Sequence, residues 1–182
     1  MGKAIGMAEY RTVSSGIKAA DLIIKTADVE VIETNVVCPG KYIILIAGEI
    51  SAVKAAVDSS KNLMSEELVD SFVLGNPHES VLPALYGLSP VGEVDALGVI
   101  ETYSVSSIIV AADVAAKTAE INMIEIRAAK GMSGKSFAMF TGEVAAVQAA
   151  IDSAKHVLAE SGSYLDSSVI PRPDKKLWEK IL

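Results

Sequence analysis

The chain contains one cysteine, Cys38, in the stretch NVVCPGKY at residues 35–42. A single thiol cannot form an internal disulfide, and a single thiolate cannot hold a metal by itself. Cysteine prefers the protein interior, whereas the Pro-Gly pair that follows Cys38 is typical of an exposed turn. A thiol on an accessible turn could do metal or redox chemistry, and a buried, inert thiol is the alternative. The residues alone leave both interpretations open, and they raise the question of whether the thiol finds partners outside its own chain.

A second candidate is the stretch GMSGKS at residues 131–136, which resembles the end of a phosphate-binding loop. That motif needs four residues between its first glycine and the Gly-Lys pair, and a helix behind it. Gly131 and Gly134 are too close together, and the residues that follow have the pattern of a strand. The stretch therefore predicts a tight hairpin and no phosphate site.

Carboxylates and histidines could form an acid–base site. The candidates are Glu9, Glu101, Asp21, Asp113, His78 and His156. The two glutamates occupy equivalent positions of two related stretches, as do the two aspartates, which is typical of packing or solvation. The histidines occupy non-equivalent positions, and neither has a nucleophile and a carboxylate in register. We therefore expect a protein that is not an enzyme.

Composition narrows the classes of partner. Hydrophobic residues make up 51% of the 182 residues and aromatic residues only 5%, so the apolar mass is Ala, Val, Ile and Leu. Such a high apolar fraction predicts surface that is buried against other subunits. The net charge of −7 argues against nucleic acid, which needs a basic face. No signal peptide is apparent, no charge-free stretch reaches the roughly 18 residues that span a membrane, and one cysteine fits a reducing cytosol.

The chain is a tandem repeat. The matching pairs of segments are 4–33 with 96–125, 48–61 with 142–155, and 70–78 with 166–174. Such density of matches over nearly the whole length indicates a duplicated domain. Gly, Ser and Pro cluster at residues 87–95, as expected of a linker. We predict two domains, at residues 3–90 and 95–182.

Each copy has the pattern of a ferredoxin-like βαββαβ layer, an α+β fold with an antiparallel sheet covered by two helices. In the first copy the predicted elements are a strand at 4–10, a helix capped by Ser14 or Ser15, strands at 29–37 and 41–48, a helix at 49–64 and a strand at 67–75. The residues predicted to share one face are Ile17, Ala20, Ile24 and Ala27 in the first helix, and Ile50, Val53, Val57 and Ser60 or Met64 in the second. A short helix is expected at the end of each copy, within 77–87 and 173–182.

The hairpin that carries Cys38 differs between the copies. The second copy has AAKGMSGKS where the first has the Cys-Pro-Gly turn, although the flanking strands keep their pattern. Divergence confined to a turn is a weak indication of function, because loops carry binding residues more often than the scaffold does.

Several motifs resemble those of the shell proteins of bacterial microcompartments. They are KAADLIIKTADVE (18–30), AADVAAKTAEIN (111–122), GEISAVKAAVDS (48–59), GEVAAVQAAIDS (142–153) and VIPRPD (169–174). The resemblance covers both copies and is specific in the order and spacing of its parts. VCPGK and SVIPRP further resemble tandem shell proteins that carry an iron–sulfur cluster in propanediol-utilisation compartments. The family is cytoplasmic, which matches the composition.

The resemblance implies a flat tile with a central pore. Single-domain relatives form hexamers whose pore is lined by the second hairpin, so a two-domain chain would form a pseudo-hexameric homotrimer. Hairpins 36–41 and 130–135 would alternate around the axis, and three Cys38 thiols would meet there. Three thiolates suit a [4Fe–4S] cluster with one iron open to a small ligand, and the implied role is electron transfer across the shell, to or from a luminal or cytosolic redox enzyme.

The resemblance also implies contacts at tile edges, through Lys25, Lys117 and Arg172. The motif's arginine is present only in the second copy, because the first has LGNPH at 74–78. Two alternatives stay open: a tandem tile without a cluster whose pore conducts a metabolite, and a ferredoxin-like regulatory protein that binds a ligand between its copies.

Overall fold

The computed structural model describes residues 4–90 and 95–181. They form two compact units. Unit 1 contains the chain through Pro77 together with two short segments, Ser104–Ser107 and Ala129–Gly134. Unit 2 contains His78–Tyr103, Ile108–Ala128 and the chain from Lys135 onward. Each unit is therefore built around one copy of the repeat, and unit 1 is completed by two pieces of the second copy.

The element order repeats as the sequence predicts. The first copy contributes β1 (Ala4–Tyr10), α1 (Val13–Thr26), β2 (Glu30–Val37), β3 (Lys41–Gly48), α2 (Ile50–Leu63), β4 (Leu68–Leu74) and α3 (Val81–Leu85). The second contributes β5 (Ala96–Thr102), α4 (Val105–Thr118), β6 (Asn122–Arg127), β7 (Ser136–Gly142), α5 (Val144–Ser161), β8 (Tyr164–Ile170) and α6 (Lys175–Ile181). The expected short helices after β4 and β8 are α3 and α6.

Both sheets are antiparallel and have the ferredoxin-like strand order. The order is β2-β3-β1-β4 in one sheet and β6-β7-β5-β8 in the other. The central strands β1 and β3 are buried along most of their length, which explains why they consist of apolar and small residues. In unit 1, α1 and α2 close one core against this sheet, with Ile44, Ile46, Val53 and Ile23 among its buried residues.

Two predictions about α1 are wrong. Thr12, rather than Ser14 or Ser15, caps the helix, and its side-chain oxygen accepts a hydrogen bond from Ser15 N at 3.2 Å. The predicted face is also split, because Ala20 is buried whereas Ile17 is 55% exposed and Ile24 is 51% exposed. The core side of α1 instead consists of three small residues and one isoleucine, namely Gly16, Ala19, Ala20 and Ile23.

The second helix follows its prediction more closely. Val53, Val57, Ser60 and Met64 are buried, but Ile50 at the first turn of α2 is 48% exposed. The apolar pattern of α2 therefore identifies the packed face correctly except at its first turn.

The residues that follow β4 pack in unit 2. α3 contacts β6, and His78 N donates a hydrogen bond to Asp113 Oδ1 at 2.7 Å. The sequence prediction placed the joint between the repeats at the Gly, Ser and Pro cluster of residues 87–95, and compact unit 2 begins at His78. Within the described residues, no helix is long and apolar enough to cross a membrane.

Candidate functional site

The turn between β2 and β3 carries the only cysteine of the chain. Cys38 is half-buried and precedes a cis peptide bond to Pro39. Gly40 N donates a hydrogen bond to Val37 O at 2.8 Å and closes the turn. Gly40 has a φ of +103°, a region that side chains with a Cβ rarely adopt, so the turn requires glycine here. The Cys-Pro-Gly turn of the sequence prediction is confirmed.

A second loop of unit 1, residues 129–134, contacts both the backbone and the sulfur of Cys38. Cys38 N donates to Ala129 O at 3.0 Å, and Gly131 N donates to Cys38 Sγ at 3.4 Å. A backbone N–H directed at a cysteine sulfur stabilises negative charge on that sulfur. The loop therefore holds the thiol in a defined place and supplies it with a hydrogen-bond donor.

Gly134 packs directly on the cysteine turn. Its φ is +89°, and a Cβ at this position would lie 3.2 Å from both Cys38 O and Pro39 Cδ. Such contacts are tighter than a side chain tolerates without moving its neighbours, so only glycine allows the loop to approach the turn this closely.

A buried ion pair lies next to the two loops. Lys41 Nζ pairs with Glu9 Oε1 and also donates to Gly134 O at 3.4 Å. The second carboxylate oxygen, Glu9 Oε2, accepts from Val105 N at 3.0 Å, at the start of α4. Burial raises the pKa of Glu9 above its ordinary value, and the hydrogen bond and charge of Lys41 oppose that rise. Glu9 and Lys41 thereby connect three backbone segments of unit 1.

Two of the remaining acid–base candidates, Asp21 and Asp113, each pair with a lysine one helical turn away. Glu9 lies in unit 1 and Glu101 in unit 2. Asp21 pairs with Lys25 Nζ at 2.6 Å on an exposed helix surface. Asp113, by contrast, is buried, pairs with Lys117 Nζ at 2.7 Å and accepts from a backbone N–H.

The histidines lie at separate places. His78 Nδ1 is 2.9 Å from Ser80 Oγ and accepts from Ser80 N at 3.3 Å, in the turn that precedes α3. His156 is exposed on α5. The described residues contain no group of three His, Cys, Asp or Glu side chains placed to hold a metal within one chain.

The residues predicted to act at tile edges are accessible. The Lys25 side chain is 71% exposed and the Lys117 side chain 43% exposed. Arg172 is also exposed and lines an open pocket of about 470 Å³ beside Trp178.

A set of contacts that the sequence prediction missed involves Asp70 at the end of unit 1. Asp70 Oδ2 accepts from Ser104 Oγ at 2.5 Å and from Ser107 Oγ at 2.8 Å. The repeat alignment makes Asp166, Thr12 and Ser15 the equivalents of these three residues. Ser104 and Ser107 are buried, whereas Thr12 and Asp166 are exposed. The signal was present in the repeat, because all three positions are polar in both copies.

The same asymmetry appears on the first helix of each copy. In α4, Ile109 and Ala116 are buried. Their equivalents in α1, Ile17 and Ile24, are about half exposed. An apolar helix face is thus covered in one copy and accessible in the other.

Comparisons with known proteins agree with this architecture. The model of the BMC domain family matches residues 4–77 and again 96–173, so the chain belongs to the BMC domain family. It is a tandem BMC-domain shell protein of a bacterial microcompartment. The bacterial microcompartment shell protein PduT of Citrobacter freundii is 36% identical over 182 residues, which is 100% of this chain and 99% of the relative.

Single-domain relatives and solved structures extend the comparison. The carboxysome shell protein CsoS1 of Prochlorococcus marinus is 36% identical over 98 residues, 52% of this chain and 95% of the relative. A crystal structure of a microcompartment protein from Desulfitobacterium hafniense has a TM-score of 0.86 and 41% identity, and the match covers 98% of this chain and 99% of that one. The fused permuted hexameric shell protein of the RMM microcompartment, at 20% identity and a TM-score of 0.66, covers 87% of this chain and 82% of its own and shares the fold.

Proposed function

We propose that the chain assembles as a homotrimer of pseudo-six-fold outline that tiles into the shell, and that three Cys38 residues on its axis bind one [4Fe–4S] cluster for electron transfer across the shell. Such a cluster needs no protein ligand besides the three Cys38 thiolates, because three irons bind one thiolate each and the fourth binds water or a small ligand.

The proposed assembly rests on equivalent residues of the two copies that are buried in one copy and exposed in the other. Within unit 1, the Asp70 carboxylate accepts hydrogen bonds from the buried hydroxyls of Ser104 and Ser107. The equivalent carboxylate, Asp166, and the equivalent hydroxyl of Thr12 are exposed. A second copy of the chain can form the equivalent hydrogen bonds, since Asp166 of one chain would contact Thr12 and Ser15 of the next. Such a head-to-tail contact closes into a ring when its rotation allows, and six related domains make three chains.

The helix faces support the same contact. In unit 2 the backbone N–H of His78 reaches Asp113 on α4. By the repeat, Asp174 of a neighbouring chain would occupy the place of His78 and reach Asp21 on α1. This would cover the apolar residues Ile17 and Ile24, which explains why an otherwise exposed helix face is apolar.

The surroundings of Cys38 fit an iron–sulfur ligand. The thiol is free and partly exposed on a turn, where other thiolates can approach it. The chain has no second cysteine, so a site with more than one thiolate at this turn must take the others from further copies of the chain. The donor from Gly131 N to Sγ is the kind of hydrogen bond that accompanies cluster ligands.

The cluster would supply one-electron redox chemistry at the shell. The protein's part is to hold the three sulfurs at a pore where a luminal or cytosolic redox enzyme can exchange electrons with them. Lys25, Lys117 and Arg172 are proposed to contact neighbouring tiles, since the two lysines lie in the last turn of equivalent helices and all three side chains are accessible. A lysine stem can lie along a neighbouring chain while its ammonium reaches backbone carbonyls.

An anaerobic iron and sulfide assay tests the cluster. The wild type should contain about four irons and four sulfides per trimer and absorb broadly in the visible range. Cys38→Ser should remove iron and colour and leave the trimer intact, because Gly40 and the Gly131 loop maintain the turn. Met132→Leu is the matched control, since it removes a sulfur from the neighbouring loop and should retain full iron.

The outcomes separate the alternatives. Iron that survives in Cys38→Ser would place the metal elsewhere and refute the site. Trimers and sheets without iron in the wild type would identify a tile whose pore serves small molecules instead. A stable monomer in light scattering would refute the assembly itself.

A further inference from the structure

The loop that contacts Cys38 comes from the other copy of the repeat, yet both belong to unit 1. Gly131 N lies 3.4 Å from Cys38 Sγ, and Gly131 has a φ of +76°. The peptide N–H of Gly131 is thus directed at the sulfur. Two further contacts fix the loop: Ala129 O accepts from Cys38 N at 3.0 Å, and Gly134 O accepts from Lys41.

We propose that the Gly131 amide is a dedicated hydrogen-bond donor to the Cys38 sulfur, and that in the loaded protein it raises the reduction potential of the cluster. The second part rests on the proposed function, whereas the first concerns only the chain itself. A donor to a ligating sulfur withdraws negative charge from it and favours the reduced, more negative state of the centre. One donor per chain would act on all three sulfurs.

The difference between the two hairpins supports a specific role for this loop. Val37 and Lys41 pair directly across the short turn of the first copy, whereas the β6–β7 hairpin has a longer connection. The longer loop is what allows Gly131 to reach the sulfur. The close approach of this loop depends on Gly134, because a Cβ there would lie 3.2 Å from both Cys38 O and Pro39 Cδ. The first copy thus contributes the ligand and the second copy contributes the donor.

The donor can be tested without any metal. Glycine-selective ¹⁵N labelling of the metal-free protein reports hydrogen exchange of the Gly131 amide in the wild type, Cys38→Ser and Cys38→Ala. Cys38→Ala removes the acceptor and should accelerate exchange roughly three- to ten-fold, the factor expected for one lost hydrogen bond. Cys38→Ser keeps a hydroxyl acceptor and should show a smaller change. The Gly40 amide, which donates to Val37 O, is the internal reference.

The effect on the potential needs a variant that keeps the cysteine. Gly134→Ala forces the loop away from the turn, and Gly162→Ala is its matched control. Gly162 has a similar backbone, with a φ of +66°, but no atom lies within 4 Å of the added Cβ. Redox titration of the loaded proteins should give a more negative midpoint potential for Gly134→Ala and a wild-type value for Gly162→Ala.

The two experiments fail in different ways. Gly131 exchange that is unchanged in Cys38→Ala would overturn the proposed donor. Equal potentials in the wild type, Gly134→Ala and Gly162→Ala would overturn its effect on the cluster. Absence of iron from the wild type would instead contradict the proposed function, and the exchange experiment would still decide whether the donor exists.

Discussion

Removal of the Lys41 ammonium tests whether its ion pair with Glu9 stabilises the Cys38 turn and the loop of residues 129–134. The Lys41 side chain is 12% exposed and the Glu9 side chain is 0% exposed. Lys41→Met keeps the length of the stem and leaves the Glu9 carboxylate without its counter-charge. Loss of one partner of a buried pair costs about 3–5 kcal/mol. Because Glu9 keeps the hydrogen bond from Val105 N, we expect Lys41→Met to lose stability at the lower end of this range, about 3 kcal/mol at neutral pH.

The pH dependence of this loss follows from the pKa of Glu9. Burial raises that pKa in the folded wild type, so the folded state holds the Glu9 proton more tightly than the unfolded state does. The resulting contribution to stability is present below the ordinary value of 4.5 and is lost as pH rises through the folded pKa. Without Lys41 the pKa rises further, because the pairing that lowers it is gone. The deficit of Lys41→Met should therefore shrink as the solution is acidified.

Urea denaturation at pH 7.5 and pH 5, at one fixed protein concentration, measures the effect. With slopes of about 1–3 kcal/mol per molar urea, the loss corresponds to a midpoint shift of roughly 1–3 M at pH 7.5. The double variant Glu9→Gln with Lys41→Met buries no charge and should recover at least half of the loss. A Lys41→Met variant within about 0.5 kcal/mol of the wild type, or a deficit that grows on acidification, would refute the reasoning.

Three further predictions follow from contacts and close approaches. Asp166→Ala should lower the trimer content in light scattering at micromolar concentration while the chain stays folded. Asp70→Ala should instead destabilise the chain by about 1–3 kcal/mol, because it removes the carboxylate that accepts from two buried hydroxyls. Equal behaviour of the two variants would contradict the proposed contact of Asp166 with Thr12 and Ser15 of the next chain. Replacement of both Lys25 and Lys117 by Asp should abolish sheets in electron microscopy and preserve trimers; unchanged sheets would refute the edge assignment. Gly98→Ala would place a Cβ 2.5 Å from a buried aromatic ring and should cost about 1–3 kcal/mol in thermal or chemical unfolding, a prediction that an unshifted midpoint would exclude.

Short-range patterns were sufficient for most of the fold. Internal similarity revealed the duplication, and the Cys-Pro-Gly turn and the alternation of the strands gave the hairpins. The face of α1 could not be predicted in this way, because Ile17 and Ile24 are apolar without being covered by their own chain. A pattern of hydrophobicity records that a face is buried somewhere, and it does not distinguish the core from a contact with another subunit.

The candidate site was predictable only in part. The single cysteine and its Cys-Pro-Gly turn could be recognised from residue types alone, and they mark the proposed ligand. The atoms that surround its sulfur are main-chain atoms, such as Gly131 N and Ala129 O, and main-chain atoms leave no signature in residue types. The contact of His78 N with Asp113 has a related origin, because it joins a main-chain atom to a segment far away in the chain.

The dependence of unit 1 on residues 104–107 and 129–134 limits how the two repeats can evolve. A chain cut between the repeats would separate Glu9 from Val105 and the cysteine turn from the loop that contacts its sulfur. Recombination between related shell proteins that exchanged one repeat alone would break the same contacts. We therefore expect the first and second hairpins to be exchangeable only together, so that a chimera keeps the contacts of the Cys38 turn only when the matching loop of the other repeat comes with it.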